Sequence, residues 1–296
     1  MRALFTLLTG AGILAFAGGT HAQNIDWEKV DATFGRKAAV TAEVHRYGFP
    51  RSDLTVKLDG ITLKPALALG GWVAFKPMGD QVMVMGDLVL LDTEVSKVMS
   101  ALIENGVAIT ALHNHLLRAE PVPWYMHVGG HGDPLKLAAA IRQALGESKT
   151  PLQAAPASGS APPLELDTAQ LDQIIGVKGQ QNGGVYQFAV PRRDAVEEGD
   201  MPMAPPGPLG VATAINFQPT EAGKAATTGD FVLTANEVNP VIKALREHGI
   251  EVTAVHSHML TEQPHLFFMH FWANDDAIKL ANGLRAALDQ TAVKKM

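Results

Sequence analysis

The chain repeats itself at an offset of about 142 residues, and this duplication limits the possible folds more than any other feature. Gly35-Arg36-Lys37 returns as Gly176-Val177-Lys178, and Pro50-Arg51-Ser52-Asp53 as Pro191-Arg192-Arg193-Asp194. Met85-Gly86-Asp87-Leu88-Val89-Leu90 returns as Thr228-Gly229-Asp230-Phe231-Val232-Leu233, Glu94-Val95 as Glu237-Val238, and Gly106 as Gly249. So long a period rules out a solenoid of short repeats and requires two copies of a domain-sized unit. Residues 23–146 make the first copy and residues 165–296 the second. Residues 147–164, rich in Pro, Ala and Ser, read as a linker.

Each copy reads as helix, several strands, helix, strand pair, helix. Asp92 can cap a helix whose apolar positions Val95, Val98, Met99 and Leu102 keep the helical period, and Gly106 stops it. Its counterpart opens on Thr234-Ala235-Asn236-Glu237, the spacing of a capping box, and stops at Gly249. The closing helix of copy one has Asp133 as cap, Pro134 in the first helical position, and Leu135, Ala138, Ile141 and Leu145 on one face. Asp276, Leu280, Ala281, Leu284 and Leu288 repeat that pattern.

Among the strands, Leu54 to Asp59 alternates cleanly, and Gln81 to Gly86 is an apolar run bounded by Gly-Asp pairs; Gly86-Asp87 and Gly229-Asp230 read as turns, the lesser alternative being that their aspartates reach the histidines. Few βαβ crossovers are predicted, so the fold class is α+β: two tandem copies, each a mostly antiparallel sheet with flanking helices. A pseudo-twofold axis is expected between them. Pro50-Arg51-Ser52-Asp53 and its repeat read as turns holding a local Arg–Asp ion pair.

A formal charge of -6 argues against nucleic acid or an anionic membrane surface as partner. At the N-terminus, Arg2 precedes an apolar run from Ala3 to Ala17, followed by Thr20-His21-Ala22. Residues 1–22 therefore read as a cleaved signal peptide, which places the mature protein in the periplasm or outside the cell. No other stretch is long and apolar enough for a membrane span. With no cysteine there is neither a disulfide nor a lipid-attachment thiol, and metal ligands are restricted to His, Asp, Glu and Met.

The chemistry of the chain lies in its histidines. His113 and His115, followed after eleven intervening residues by His127, recur as His256, His258 and His270. Val107 to Leu117 has the composition of a strand, on which His113 and His115 share a face. Trp124 to Val128 reads as the partner strand. If residues of equal parity pair, His127 joins the same face; otherwise it turns away.

Three imidazoles on one face leave an open fourth position on a divalent transition metal, zinc foremost, with copper, nickel or iron as alternatives. Glu120, or Glu262 in the other copy, is a candidate fourth ligand or base acting on metal-bound water, although position 120 aligns with Gln263. Two other readings stay open: hydrogen-bonded histidines of a half-buried sheet, and metal-free proton transfer.

Met85 to Leu90, Thr110 to Leu117, Tyr125 to His127 and Gly130 to Pro134, with Val211 to Phe217 and Phe268 to Trp272 in the second half, resemble the LppY/LpqO family of exported bacterial proteins. The resemblance spans nearly the whole mature chain. It implies a duplicated exported protein and no particular activity, because that family is a domain of unknown function. Unlike the lipoprotein members, this chain has no cysteine at the end of its signal sequence, so lipid anchoring does not carry over. The sequence therefore leaves three classes: a metal-binding protein or metal-dependent enzyme, a module binding a small envelope ligand in the cleft between copies through Trp72, Trp124 or Trp272, and a structural factor.

Overall fold

The computed structural model describes residues 25–153 and 163–293. The expected signal peptide at 1–22 and the middle of the expected linker lie outside the described residues.

Copy one runs α1 (Trp27–Phe34), β1 (Ala39–Thr41), β2 (Val44–Pro50), β3 (Lys57–Leu58), β4 (Ile61–Thr62), α2 (Pro65–Ala68), β5 (Gly70–Met78), β6 (Gln81–Leu91), α3 (Asp92–Glu104), β7 (Ala108–His113), β8 (Pro123–Gly132) and α4 (Pro134–Leu145). Copy two runs α5 (Thr168–Ile175), β9 (Gln180–Asn182), β10 (Val185–Val190), β11 (Glu197–Glu198), β12 (Met201–Pro202), β13 (Thr213–Pro219), β14 (Lys224–Leu233), α6 (Ala235–Glu247), β15 (Glu251–His256), β16 (Glu262–Gln263), β17 (Phe267–Asp276) and α7 (Ala277–Leu288).

Each copy builds one six-stranded sheet in the same order, β1-β2-β5-β6-β8-β7 in the first and β9-β10-β13-β14-β17-β15 in the second. All neighbours within both sheets pair antiparallel. The chain is thus α+β, with two similar tandem units, as the duplication requires. Among the described residues no helix is long and apolar enough to cross a membrane.

One face of each sheet is covered by its own helices. Phe34, Phe49, Phe75, Leu102 and Ile141 fill the core of copy one, and Phe217, Phe231, Phe271, Leu245 and Leu284 that of copy two. The other two faces meet each other. There Val89, Leu116 and Tyr125 pack with Val185, Ala226 and Trp272, while Val44, Ala74 and Met83 pack with Val232, Met259 and Phe268. Strands covered on both faces read as near-continuous apolar runs, as Gln81 to Leu91 does.

The copies also exchange hairpins. Lys64 N donates to Gln218 Oε1 at 2.8 Å and Gln218 Nε2 donates to Thr62 O at 2.9 Å, which holds the β3–β4 hairpin of copy one on the sheet of copy two. In the other direction, Lys76 Nζ donates to Pro202 O at 2.5 Å and Ala204 O at 3.0 Å. Lys76 and Gln218 are both 4% exposed, so each is a buried polar group satisfied by the other copy's loop.

Several local expectations are corrected. Leu54 to Asp59 contributes only the two residues of β3, which pair with β4 in a separate hairpin, and Val56 and Leu58 pack in the cluster between the two sheets. Leu91, not Asp92, is the N-cap of α3, since the Glu94 carboxylate reaches back to Leu91 N at 2.8 Å. Thr234 and Glu237 form the expected capping box, and Asp133 caps α4. Gly86-Asp87 and Gly229-Asp230 are not turns but lie inside β6 and β14. A Cβ at Gly86 would sit 2.7 Å from Trp72 O, and one at Gly229 would collide with Ala214 O. Glycine is needed there because neighbouring backbone approaches too closely for a side chain.

The Arg–Asp turns are larger devices than a local pair. Arg51, fully buried, reaches Asp53 at 2.8 Å, Glu94 at 2.6 Å and Val89 O at 2.9 Å. Arg192 does the same with Asp194, Glu237 and Val232 O. Each arginine ties a loop, a sheet strand and a helix N-terminus together.

Candidate metal centre

The strand pairs place the histidines. In β7–β8, Ala111 faces His127 and His113 faces Tyr125. In β15–β17, Ala254 faces His270 and His256 faces Phe268. Residues of equal parity are paired, so the third histidine of each copy joins the face of the first. A bulge between Ile109 and Ala111, matched between Val252 and Ala254, sets this register.

β7 ends at His113, short of the expected Leu117. Asn114 Oδ1 then accepts from Leu116 N at 2.7 Å, the side-chain bond of an Asx turn. That turn, and not the pleat, brings His115 back until its Nε2 lies 2.8 Å from Nε2 of His113.

All six histidines converge. His113 stacks on His256 with ring centroids 3.5 Å apart, His115 on His270 at 3.5 Å, and His127 on His258 at 3.7 Å. Every one of these pairs joins one ring from each copy. Tyr125 covers the free face of His115 at 3.3 Å and Phe268 that of His258 at 3.4 Å.

Among the described residues, two sets of ligand atoms lie within 4.8 Å of one another: His113, His256, His258 and His270, and His113, His115 and His127. His113 belongs to both. That spacing encloses the separation of about 3.3 Å between nitrogens of a tetrahedral zinc site.

Burial holds these rings neutral. It lowers His113 to about 3 and His256 to about 4, and takes His115, His127, His258 and His270 well below the ordinary value. Repulsion between neighbouring imidazoles adds to burial for all but His256. Neutral imidazole is the metal-binding form.

Several ring nitrogens also lack a partner. His113 Nδ1 and the Nε2 atoms of His127, His256, His258 and His270 are buried with no hydrogen bond. His270 Nδ1 lies 2.9 Å from Gly229 O and can only donate there, which leaves its Nε2 lone pair free. His127 bonds the Gly86 backbone, the corresponding residue of copy one.

Asp87 and Asp230 join the constellation, where the sequence favoured turn residues and offered contact with the histidines only as the lesser alternative. Each follows a strand glycine, and each has a buried carboxylate oxygen without a hydrogen bond. Asp230 lies 3.4 Å from His258 Nε2 and 3.9 Å from His270 Nε2, and Asp87 lies 3.9 Å from His127 Nε2. Burial raises Asp87 to about 7, partly offset by Arg46. Burial and the charge of Asp87 raise Asp230 well above the carboxylate range. The available signal was an acid inside an apolar run, at the same place in both copies.

Glu120 is exposed, its backbone paired with Lys57, and it belongs to neither histidine set. Glu262 is buried and belongs to neither histidine set; its Oε1 accepts from Leu266 N at 2.7 Å and lies 3.0 Å from His265 Nδ1, while its Oε2 is buried without a partner. Neither glutamate joins the histidines. A cavity of about 660 Å³ runs from His127, His270, Asp87 and Asp230 between the two sheets to Trp72 and Arg46.

Fold and site together define a duplicated α+β protein with a partly buried histidine–aspartate cluster shared by its two halves. Residues 28–147 and 169–290 each match the family described as Domain of Unknown Function (DUF1259), and the chain belongs to that family. No curated protein matches it. Among solved structures, it is similar to the trimeric bacterial microcompartment shell protein PduB, at 13% identity over 88% of this chain and 97% of that one, with a TM-score of 0.23. It is also similar to EtuB from Clostridium kluyveri, at 9% identity over 86% and 89%, with a TM-score of 0.22.

Proposed function

We propose that the protein is an exported metal-binding protein whose two copies jointly hold a divalent transition metal, zinc foremost, with copper, nickel or iron as alternatives. The observation that carries this reading is the mixed set His113, His256, His258 and His270, with ligand atoms within 4.8 Å of one another. The orphaned ring nitrogens and carboxylate oxygens support it, because a buried polar atom without a partner costs free energy that a cation would offset.

The same reading takes the copies to be related by a pseudo-twofold axis between His113 and His256. Exchange of corresponding residues turns the His115–His270 pair into the His258–His127 pair, and the Lys76 clamp into the Gln218 clamp. Membership of the LppY/LpqO group within the family, and export by residues 1–22, belong to the proposal too; the motifs and the Arg2-to-Ala22 pattern support them.

Titration of chelator-stripped protein with Zn²⁺ and Cu²⁺ by calorimetry tests the metal. Binding tighter than about micromolar is expected. Failure of both ions would return the histidines to a structural role. A second reading, a small envelope ligand held in the cleft without metal, is favoured by the cavity between the sheets.

A further inference from the structure

The cavity walls break the duplication. Arg46, on β2 of copy one, occupies the place of Gln187 in copy two: Arg46 pairs with Ala74 as Gln187 pairs with Asn216. Trp72 occupies the place of Ala214, since the two pair with Asp87 and Asp230 respectively. All four inner-wall residues Arg46, Trp72, Gln187 and Ala214 line the cavity. One wall therefore carries a cation and an indole where the other carries an amide and a methyl group.

The guanidinium of Arg46 is held in place before any ligand arrives. It stacks over Trp72 at 3.7 Å, and its Nη1 donates to Pro208 O at 2.5 Å. The indole is itself fixed against Gly210, where a Cβ would stand 2.8 Å from the ring. Among the described residues no carboxylate lies within ion-pair distance of Arg46, and its other nitrogens make no hydrogen bond, unlike Arg51 and Arg192 with two acids each. A fixed planar fork with free donors at a cavity wall matches the geometry of a carboxylate. Asp87 and Asp230 line the same space, which disfavours a second negative charge on the ligand. The volume of about 660 Å³ falls within the range of about 300–1,000 Å³ for small-molecule sites.

We infer that the cavity between the sheets binds a small organic monocarboxylate, anchored by Arg46 with its apolar body against the alanine and glycine wall of copy two. This rests on the second reading above, a ligand cleft between the sheets, and is independent of the metal.

Two probe pairs test it by calorimetry on the full protein, each carboxylate against its neutral amide: benzoate with benzamide, and phenylacetate with phenylacetamide. Metal-stripped protein is expected to bind at least one carboxylate about tenfold or more tightly than its amide. Arg46→Gln, which installs the residue of copy two, is expected to abolish that preference. Arg46→Lys, which keeps the charge and loses the fork, is expected to fall between. Equal binding of acid and amide by the wild-type protein would overturn the inference while leaving the cleft intact, and needs no variant to fold. Binding of neither member of either pair would overturn both. Carboxylate binding that appears only in zinc-loaded protein and survives Arg46→Gln would place the ligand on the metal instead, and overturns it too.

Discussion

His113 and His256, corresponding residues of the two copies, stack with ring centroids 3.5 Å apart. The contact joins the end of β7 to the end of β15, so neither copy completes the constellation alone. His113 also stands in both ligand sets. His113→Ala is therefore expected to cost more metal affinity than His115→Ala, which touches the three-histidine set only. Calorimetric titration with Zn²⁺ of the two variants decides this, and equal losses would show that the sets do not share His113.

The metal-free protein is expected to lose stability as the pH falls below about 6.5. A histidine whose folded pKa is depressed refuses a proton that the unfolded chain accepts, so stability is full above the unfolded value and declines below it. For His256 and His113 the decline continues down to about 4 and about 3. Asp87 and Asp230 act in the opposite sense: folded, they keep protons that the unfolded chain releases, a contribution present at low pH and lost for Asp87 as the pH rises through about 7. Six refused protons outweigh two retained ones, hence the net slope is destabilising on acidification. Urea midpoints between pH 7.5 and about 4.5 measure it, and a flat profile would show the rings to be freely protonated in the fold.

Gly229→Ala is expected to destabilise the protein by about 3 kcal/mol or more, because the new Cβ meets the backbone carbonyl of Ala214, which no rotamer change relieves. Gly48→Ala serves as the control: nothing lies within 4 Å of its Cβ position, and its stability should stay within about 1 kcal/mol of wild type. Chemical denaturation of the pair compares them directly.

Arg51→Met is expected to cost about 3–5 kcal/mol, since it strands the buried Glu94 carboxylate without its counter-charge. Adding Glu94→Leu should recover part of the loss, although Leu91 N and Lys149 N then lose their acceptor. A double-mutant cycle reads the coupling, and additive losses would mean the ion pair contributes nothing specific.

The elements defined by local chemistry were legible in the sequence. Asp133-Pro134 marked α4 and Thr234 with Glu237 marked α6, because caps and helical period act within one turn of chain. The six histidines stood out through duplication and spacing. Whether each triplet would close on itself or on the other was not legible, since a contact such as His127 with His258 leaves no period in the sequence. Asp87 was misread for a physical reason: Gly-Asp is turn chemistry in isolation, and only the approach of the Trp72 backbone makes the glycine a strand residue. Val56 and Leu58 alternate like a strand, yet they join a cluster between the sheets to which both copies contribute.

The difference between Arg46 and Gln187 could not arise in a homodimer of single units. There one gene writes both walls, so every substitution on one side of the cavity appears on the other, and two arginines would face each other across the gap. Carrying both units on one chain releases the walls from that constraint: copy one holds the cation and the indole, and copy two supplies the room. The cavity thereby acquires a polarity, one end recognisable from the other, so that a ligand can enter it in a single orientation.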